Sequence, residues 1–152
     1  MRNVKITAIG IGNEFRRDDG VGVFLARRLK EIFPSSLEVM EERGEGAKLM
    51  ELWKNAERVF LFDAVFSGAQ PGTIFRFDAQ ERPIPKKFFN YSTHEFSLAE
   101  SVELARVLNQ LPHQLIIFGV EGKTFTDGVG LSCEVENAAG EVIRRVQSEI
   151  NF

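Results

Sequence analysis

The chain has 152 residues, a formal net charge of −3 and a single cysteine. This length suits one domain of about 100–200 residues, and the small negative charge argues against nucleic-acid or membrane-surface partners. A lone cysteine excludes an intramolecular disulfide and any CxxC motif. No apolar run is long enough to cross a membrane, and residues 1–9 lead into a strand pattern rather than a signal peptide. We therefore expect one cytoplasmic domain over residues 1–152.

The first half of the chain predicts a strand, a helix, a second strand and a second helix. Residues 4–10 alternate as a half-buried strand does, and residues 21–32 carry apolar side chains at helical spacing until Pro34 stops them. Residues 37–41 predict a short strand. The apolar positions of residues 49–56 predict a second helix.

The second half continues this alternation. Residues 59–65 (VFLFDAV) are almost continuously apolar, which is typical of a strand buried on both faces of a parallel sheet. The turn SGAQPG then leads into residues 73–77, a strand that we expect to return antiparallel to residues 59–65. A helix over residues 96–108, a buried strand over 115–120 and a helix over 135–150 follow. The pattern predicts an α/β fold, a three-layer α/β/α sandwich with a twisted, mostly parallel five-stranded sheet and one antiparallel strand.

Ionisable side chains follow three of the predicted strands, at the edge of the sheet where such folds bind ligands. Asp18 and Asp19 open the first helix, Asp63 ends a buried strand, and His94 lies just ahead of a later helix. Each of these residues also has a structural interpretation when taken singly. Asp18 or Asp19 could cap the helix, Asp63 could accept hydrogen bonds from loop N–H groups, and His94 could be a turn or cap histidine. Only one of two adjacent aspartates can cap the helix. Together, two carboxylates and one imidazole would suit nickel, zinc or cobalt and leave coordination positions open.

Other residues give weaker signals. GIGNEF resembles the start of a dinucleotide-binding fingerprint, but Phe15 occupies the third glycine position, which argues against nucleotide binding. No G-x-S-x-G elbow is present, which argues against a serine hydrolase. We expect His113 to be solvated and Cys133 to pack inertly in a helix. For Phe88 and Phe89 two placements stay open, a substrate-docking surface and the hydrophobic core.

The chain resembles the hydrogenase maturation endopeptidases, which trim the C-terminal extension from the large subunit of nickel–iron hydrogenases. The resemblance rests on GIGNEFRRDDGVG, FDAVFSGAQPGT, STHEFSLAE and the GV…G..LS…E pattern from Gly119 onward. It implies a peptidase, aspartyl-type by family classification, in which Asp19, Asp63 and His94 bind a divalent metal. Asp63 and Asp19 are then the catalytic candidates, with Asp63 the first choice for general base, and Asp18 is left free to cap the helix.

The resemblance also implies what the protein works with: the large-subunit precursor as partner, nickel carried mainly by that precursor, no organic cofactor and a monomeric state. Two segments depart from the family pattern, residues 43–45 (RGE) and residues 121–122 (EG). We expect both to border the substrate groove, and they are most similar to relatives that serve soluble, cofactor-reducing hydrogenases. Two alternatives stay open. One is a non-catalytic, nickel-sensing chaperone or checkpoint protein that binds the same precursor, and the other is a metallo-aminopeptidase, whose two-metal site needs more ligands.

Overall fold

The computed structural model describes residues 4–43, 48–89 and 97–150 and shows a sheet between two layers of helices. The strands are β1 (Ile6–Ile11), β2 (Glu38–Glu42), β3 (Arg58–Val65), β4 (Ile74–Asp78) and β5 (Gln114–Glu121). The helices are α1 (Val21–Ile32), α2 (Leu49–Leu52), α3 (Leu98–Val107) and α4 (Cys133–Ile150), with 3-10 turns at Arg17–Gly20 and Lys86–Phe88. The predicted three-layer α/β/α fold is confirmed.

The five strands run in the order β2-β1-β3-β5-β4, and all neighbours are parallel except β4 and β5. The antiparallel direction of β4 was predicted, but its predicted pairing with β3 is wrong. β5 is almost continuously buried, as is typical of a strand inside a sheet covered on both faces, and it pairs with β3 on one edge and with β4 on the other. β4 is only half-buried and suits the edge of the sheet.

The order of the strands creates a switch point between β1 and β3. From β1 the chain moves outward to β2, and after β3 it builds the other half of the sheet with β5 and β4. Ligands of open α/β sheets bind in the crevice at such a point, outside the carboxyl ends of the strands. This crevice is flanked by the loop after β1 and by the last residues of β3.

Each face of the sheet carries its own hydrophobic core. On one face, α1 and α4 pack against side chains that include Phe60, Phe62 and Phe118. On the other face, α2 and α3 cover Leu61, Val65 and their neighbours. The second predicted helix is shorter than expected, since α2 ends at Leu52 and a turn follows. Among the described residues, no helix is both long and apolar enough to span a bilayer.

α1 approaches the sheet backbone to backbone at its first turn. A side chain at Gly22 would overlap the carbonyl oxygens of Ile11 in β1 and Phe62 in β3. The missing side chain therefore lets the start of α1 sit directly over the ends of both strands. This packing carries the preceding 3-10 turn, with Asp18 and Asp19, to the switch point.

Candidate functional site

Asp19 reaches the switch point from the 3-10 turn before α1. Its Oδ2 accepts a hydrogen bond of 2.9 Å from the N–H of Asn13, and the side chain is partly exposed. Gly12, with φ of 139°, lies so close to the turn that a side chain there would overlap the Asp19 carbonyl oxygen. The glycine and the asparagine after β1 thus hold the Asp19 carboxylate at the mouth of the crevice.

The loop that carries Asn13 is also tied to the edge of the sheet. Arg27 of α1 donates to Glu14 over 2.7 Å and to Glu41 of β2 over 3.0 Å. These side chains are exposed, and ion pairs of this kind add little stability. Their effect at the site is to restrain the loop between β1 and the 3-10 turn.

Asp63 is the buried carboxyl group of the site. It lies near the end of β3, is 8% exposed, and its Oδ1 accepts a hydrogen bond of 2.8 Å from the N–H of Ala64. Burial raises the pKa of Asp63 well above its ordinary value, and the negative charge of Asp19 raises this pKa further. The hydrogen bond from Ala64 acts in the opposite direction. Asp19 and Asp63 therefore form an interacting pair, and the proton affinity of Asp63 is raised by its burial and by the charge of Asp19.

An aromatic ring packs over β5 at the residue paired with Asp63. Gly119 of β5 is the direct neighbour of Asp63 across the sheet, and the Phe89 ring lies about where it would touch a side chain at Gly119. Phe89 is 2% exposed and Phe88 is partly buried against the same core. Of the two predicted placements, the hydrophobic core is therefore the correct one for Phe89, and this residue is not part of a substrate-docking surface.

The structure brings together two of the three predicted metal ligands. Within the described parts of the chain, no three histidine, cysteine or acidic side chains lie close enough to hold a metal ion. His94, the third predicted ligand, lies outside the described residues. Asp19 and Asp63 lie close enough for the charge of Asp19 to raise the pKa of Asp63, and the three-ligand set stays a prediction.

Asp18 does not cap the helix, so that prediction is wrong. Neither the 3-10 turn nor α1 receives a side-chain cap at its start. Asp18 is instead fully buried, and its oxygens accept hydrogen bonds from the N–H groups of Lys123, Thr124 and Ser132 and from the Ser132 hydroxyl. Its own N–H donates to the Thr124 carbonyl. Asp18 therefore fastens the connection between β5 and α4 to the turn that carries Asp19.

Sequence analysis named Glu121 only as a border of the substrate groove, and the structure shows it to be a further buried carboxylate at this edge, besides Asp18 and Asp63. It ends β5, is 1% exposed, and accepts hydrogen bonds from the N–H and the hydroxyl of Ser67. The available signal was the same as for Asp63, a carboxylate that ends a continuously apolar strand. Of the remaining expectations, His113 is exposed as predicted, whereas Cys133 is exposed at the first residue of α4 and does not pack in the core.

The family follows from comparison of the sequence with known proteins. The sequence profile of the HycI family, described as hydrogenase maturation protease, matches residues 23–149. The chain belongs to the hydrogenase maturation protease family. This membership makes it a peptidase with a role in hydrogenase maturation.

Individual relatives agree with this family, and a solved structure has a similar fold. A Methanocaldococcus jannaschii protein, itself named only as a candidate hydrogenase maturation protease, is 30% identical over 99% of both chains. The hydrogenase 2 maturation protease of Escherichia coli is 27% identical over 88% of this chain and 82% of its own. The fold is similar to that of the Escherichia coli hydrogenase maturating endopeptidase HybD, with a TM-score of 0.77 over 97% of this chain and 92% of that one at 24% identity.

Proposed function

We propose that the protein is an endopeptidase that removes the C-terminal extension from the nickel-loaded large-subunit precursor of a nickel–iron hydrogenase. The observation that carries this proposal is the Asp19–Asp63 pair, placed at the switch point of a chain that belongs to the maturation protease family. The large-subunit precursor is then the partner. Its nickel ion is part of the substrate.

Recognition of that nickel is assigned to Asp19, Asp63 and His94. Two neighbouring carboxylates, one of them buried, repel each other unless a cation or a proton lies between them. A divalent ion presented by the precursor would relieve this repulsion, and carboxylate and imidazole donors suit nickel. The proposed site is therefore completed by the substrate it recognises.

Asp63 is proposed as the general base of the cleavage step. A carboxyl group that is buried beside another carboxylate has the raised proton affinity that general base catalysis requires. In this step Asp63 takes a proton from a water molecule as the water oxygen bonds to the scissile carbonyl carbon. The same proton then passes to the leaving amine as the C–N bond breaks. Asp19 orients the substrate against Asp63.

A processing assay tests this proposal. Purified protein is incubated with nickel-loaded, full-length precursor, and the product mass is measured. We expect loss of one C-terminal peptide, and we expect Asp19→Ala, Asp63→Asn and His94→Ala to leave the precursor intact. Asp127→Asn is the matched control, because Asp127 is an exposed aspartate of the connection between β5 and α4. A stable complex with unchanged precursor mass would identify a checkpoint protein instead and would contradict the proposal.

A further inference from the structure

An aromatic pair, one ring exposed and the other partly buried, lies where the loop after β3 meets the connection between β5 and α4. Phe66 follows Asp63 by three residues, and its ring meets the Phe125 ring edge to face, with centroids 5.6 Å apart and planes at 85°. Phe66 is 58% exposed, a large apolar area for a side chain at the edge of a candidate active site. We call these two residues the Phe66–Phe125 pair.

The Phe66 half of the pair is fixed by Glu121. The buried Glu121 carboxylate accepts hydrogen bonds from the Ser67 N–H over 2.9 Å and from the Ser67 hydroxyl over 2.5 Å. The backbone of Glu121 holds the other end of the same loop, since its carbonyl accepts from Gly72 and its N–H donates to Thr73. One residue therefore secures both ends of the segment between β3 and β4 that begins with Phe66.

The Phe125 half depends on the next residue, Gly122. Any side chain at Gly122 would overlap the Phe125 ring, so the glycine makes room for this ring against the end of β5. The Phe125 backbone is linked to the Asp19 loop, because its carbonyl accepts a hydrogen bond of 3.2 Å from Arg16 Nε. The preceding residue, Thr124, exchanges backbone and side-chain hydrogen bonds with Asp18.

We propose that Glu121 and Gly122 are specificity-determining residues, because they build the Phe66–Phe125 pair into a fixed surface that binds an apolar side chain of the precursor beside the scissile bond. This inference rests on the proposed function. Of the residues that follow Asp63, Phe66 is the first exposed one and comes directly after the end of β3, so a peptide bound at Asp63 from the loop side would lie next to it. Aromatic side chains held in place by their surroundings lose little conformational entropy on binding and commonly anchor protein partners.

Steady-state processing of the nickel-loaded precursor tests the contact. For Phe66→Ala we expect KM to rise about tenfold while kcat stays within about twofold, because the lost contact binds ground state and transition state alike. Phe66→Leu keeps an apolar side chain and should restore most of the affinity. The matched control is Val107→Ala, since Val107 is 82% exposed at the far end of α3. An unchanged KM in Phe66→Ala, or a lower kcat at unchanged KM, would overturn the inference.

A second variant tests whether Glu121 acts through Phe66. Ser67→Ala removes the hydroxyl that donates to Glu121 and leaves the backbone N–H in place. In the wild-type background it should raise KM, whereas in the Phe66→Ala background it should change KM no further. Equal effects in both backgrounds would mean that Glu121 does not position Phe66.

Binding measurements separate this inference from the proposed function. In an Asp63→Asn background, which is expected not to cleave, we expect Phe66→Ala to weaken precursor binding about tenfold. If wild-type protein fails to cleave but this weakening is found, the proposed endopeptidase activity fails and the docking surface stands. If cleavage is normal and Phe66→Ala has no effect on binding or KM, the docking surface fails alone. If neither binding nor cleavage occurs, both proposals fail.

Discussion

At the scale of single residues, Asp63 places a carboxyl group where a neutral side chain would cost less free energy. It is buried at the end of β3 and lies beside the negative charge of Asp19. Strand ends of this kind are normally filled by apolar or fully hydrogen-bonded groups, because an ionised carboxylate loses its hydration there. The free protein therefore gives up stability at Asp63 to keep a carboxylate in the site.

Asp63→Asn is expected to raise the melting temperature while abolishing processing. The amide keeps an oxygen for the Ala64 N–H and removes the buried charge. Each kcal/mol gained should raise Tm by roughly 2–4 °C in a chain of this size. Thermal unfolding of both proteins, measured with the processing assay, checks the two halves of the prediction. A variant less stable than the wild type at neutral pH would show that the Asp63 charge is already compensated.

The same pair of proteins should respond differently to pH. Because the pKa of Asp63 is raised above its unfolded value of about 3.9, the folded state binds the proton more tightly. The cost of the charge is absent below the unfolded pKa, grows as the pH rises toward the folded pKa, and is constant above it. The Tm advantage of Asp63→Asn should therefore shrink as the pH is lowered from about 7 to about 4. An advantage that grew on acidification would contradict this sign.

Asp18→Asn is expected to destabilise the fold although the two side chains have the same shape. Both Asp18 oxygens act only as acceptors, and an amide group would turn its NH2 toward at least one of the N–H donors. Leaving a buried donor unpaired should cost about 1–3 kcal/mol, measured by urea unfolding. Asp127→Asn, an exposed aspartate in the same connection, serves as control and should change stability by less than about 0.5 kcal/mol.

The predicted and observed roles of Asp18 and Asp19 show what the sequence can and cannot predict for single residues. The position of a carboxylate after β1 follows from the alternation of strands and helices, which places Asp19 and Asp63 at one edge of the sheet. The partners of Asp18 lie 105–114 residues further along the chain. No local pattern encodes that contact, so the local alternative, a helix cap, was the wrong interpretation.

At the scale of elements, the contact of α1 with β1 and β3 decides where the site forms. Gly22 is the point of closest approach, and the turn with Asp19 lies three residues before it. A change that lifts α1 from the sheet would therefore separate Asp19 from Asp63 as well as loosen the core. The bounds of α1 followed directly from its apolar spacing and from Pro34.

Gly22→Ala should cost about 1–3 kcal/mol or more, because the added methyl group overlaps two carbonyl oxygens of the sheet. Processing should fall with stability, since the turn that carries Asp19 must shift. Gly140→Ala is the matched control, because Gly140 is an exposed residue of α4 whose added methyl would meet only Arg144 Nη1 at 3.9 Å. It should stabilise the protein by about 0.5–1 kcal/mol through helix propensity. Equal effects of the two substitutions on urea unfolding would contradict the close packing of α1.

The pairing of β4 marks the limit of prediction for elements. The turn after β3 correctly predicted that β4 runs in the opposite direction. A hairpin of β3 and β4 was the simplest pairing that this turn allows, and it was therefore predicted. β5 occupies that place because it is buried along nearly its whole length and pairs with both β3 and β4. The position of a strand in the sheet therefore depended on a segment about forty residues further on, which local turn chemistry does not reveal.

At the scale of the whole molecule, the proposed function assigns part of the chemistry of the site to the substrate. Asp19 and Asp63 supply two carboxylates, and the proposed third ligand is His94. Three ligands leave coordination positions that the thiolates of a nickel-loaded precursor can fill. On this proposal the enzyme and its substrate form one metal site together, and cleavage takes place only after nickel has been inserted into the precursor.

Precursor prepared without nickel is therefore expected to remain uncut at any enzyme concentration. Without the ion, the repulsion between the Asp19 and Asp63 carboxylates is not relieved, and no metal brings the scissile bond to Asp63. The measurement is the intact mass of metal-free and nickel-loaded precursor after incubation in buffer stripped of divalent ions. Unrelated unfolded proteins serve as control substrates and should also remain whole, since recognition depends on the metal. Efficient cleavage of the metal-free precursor would overturn nickel recognition by Asp19, Asp63 and His94, even though membership of the maturation protease family would stand.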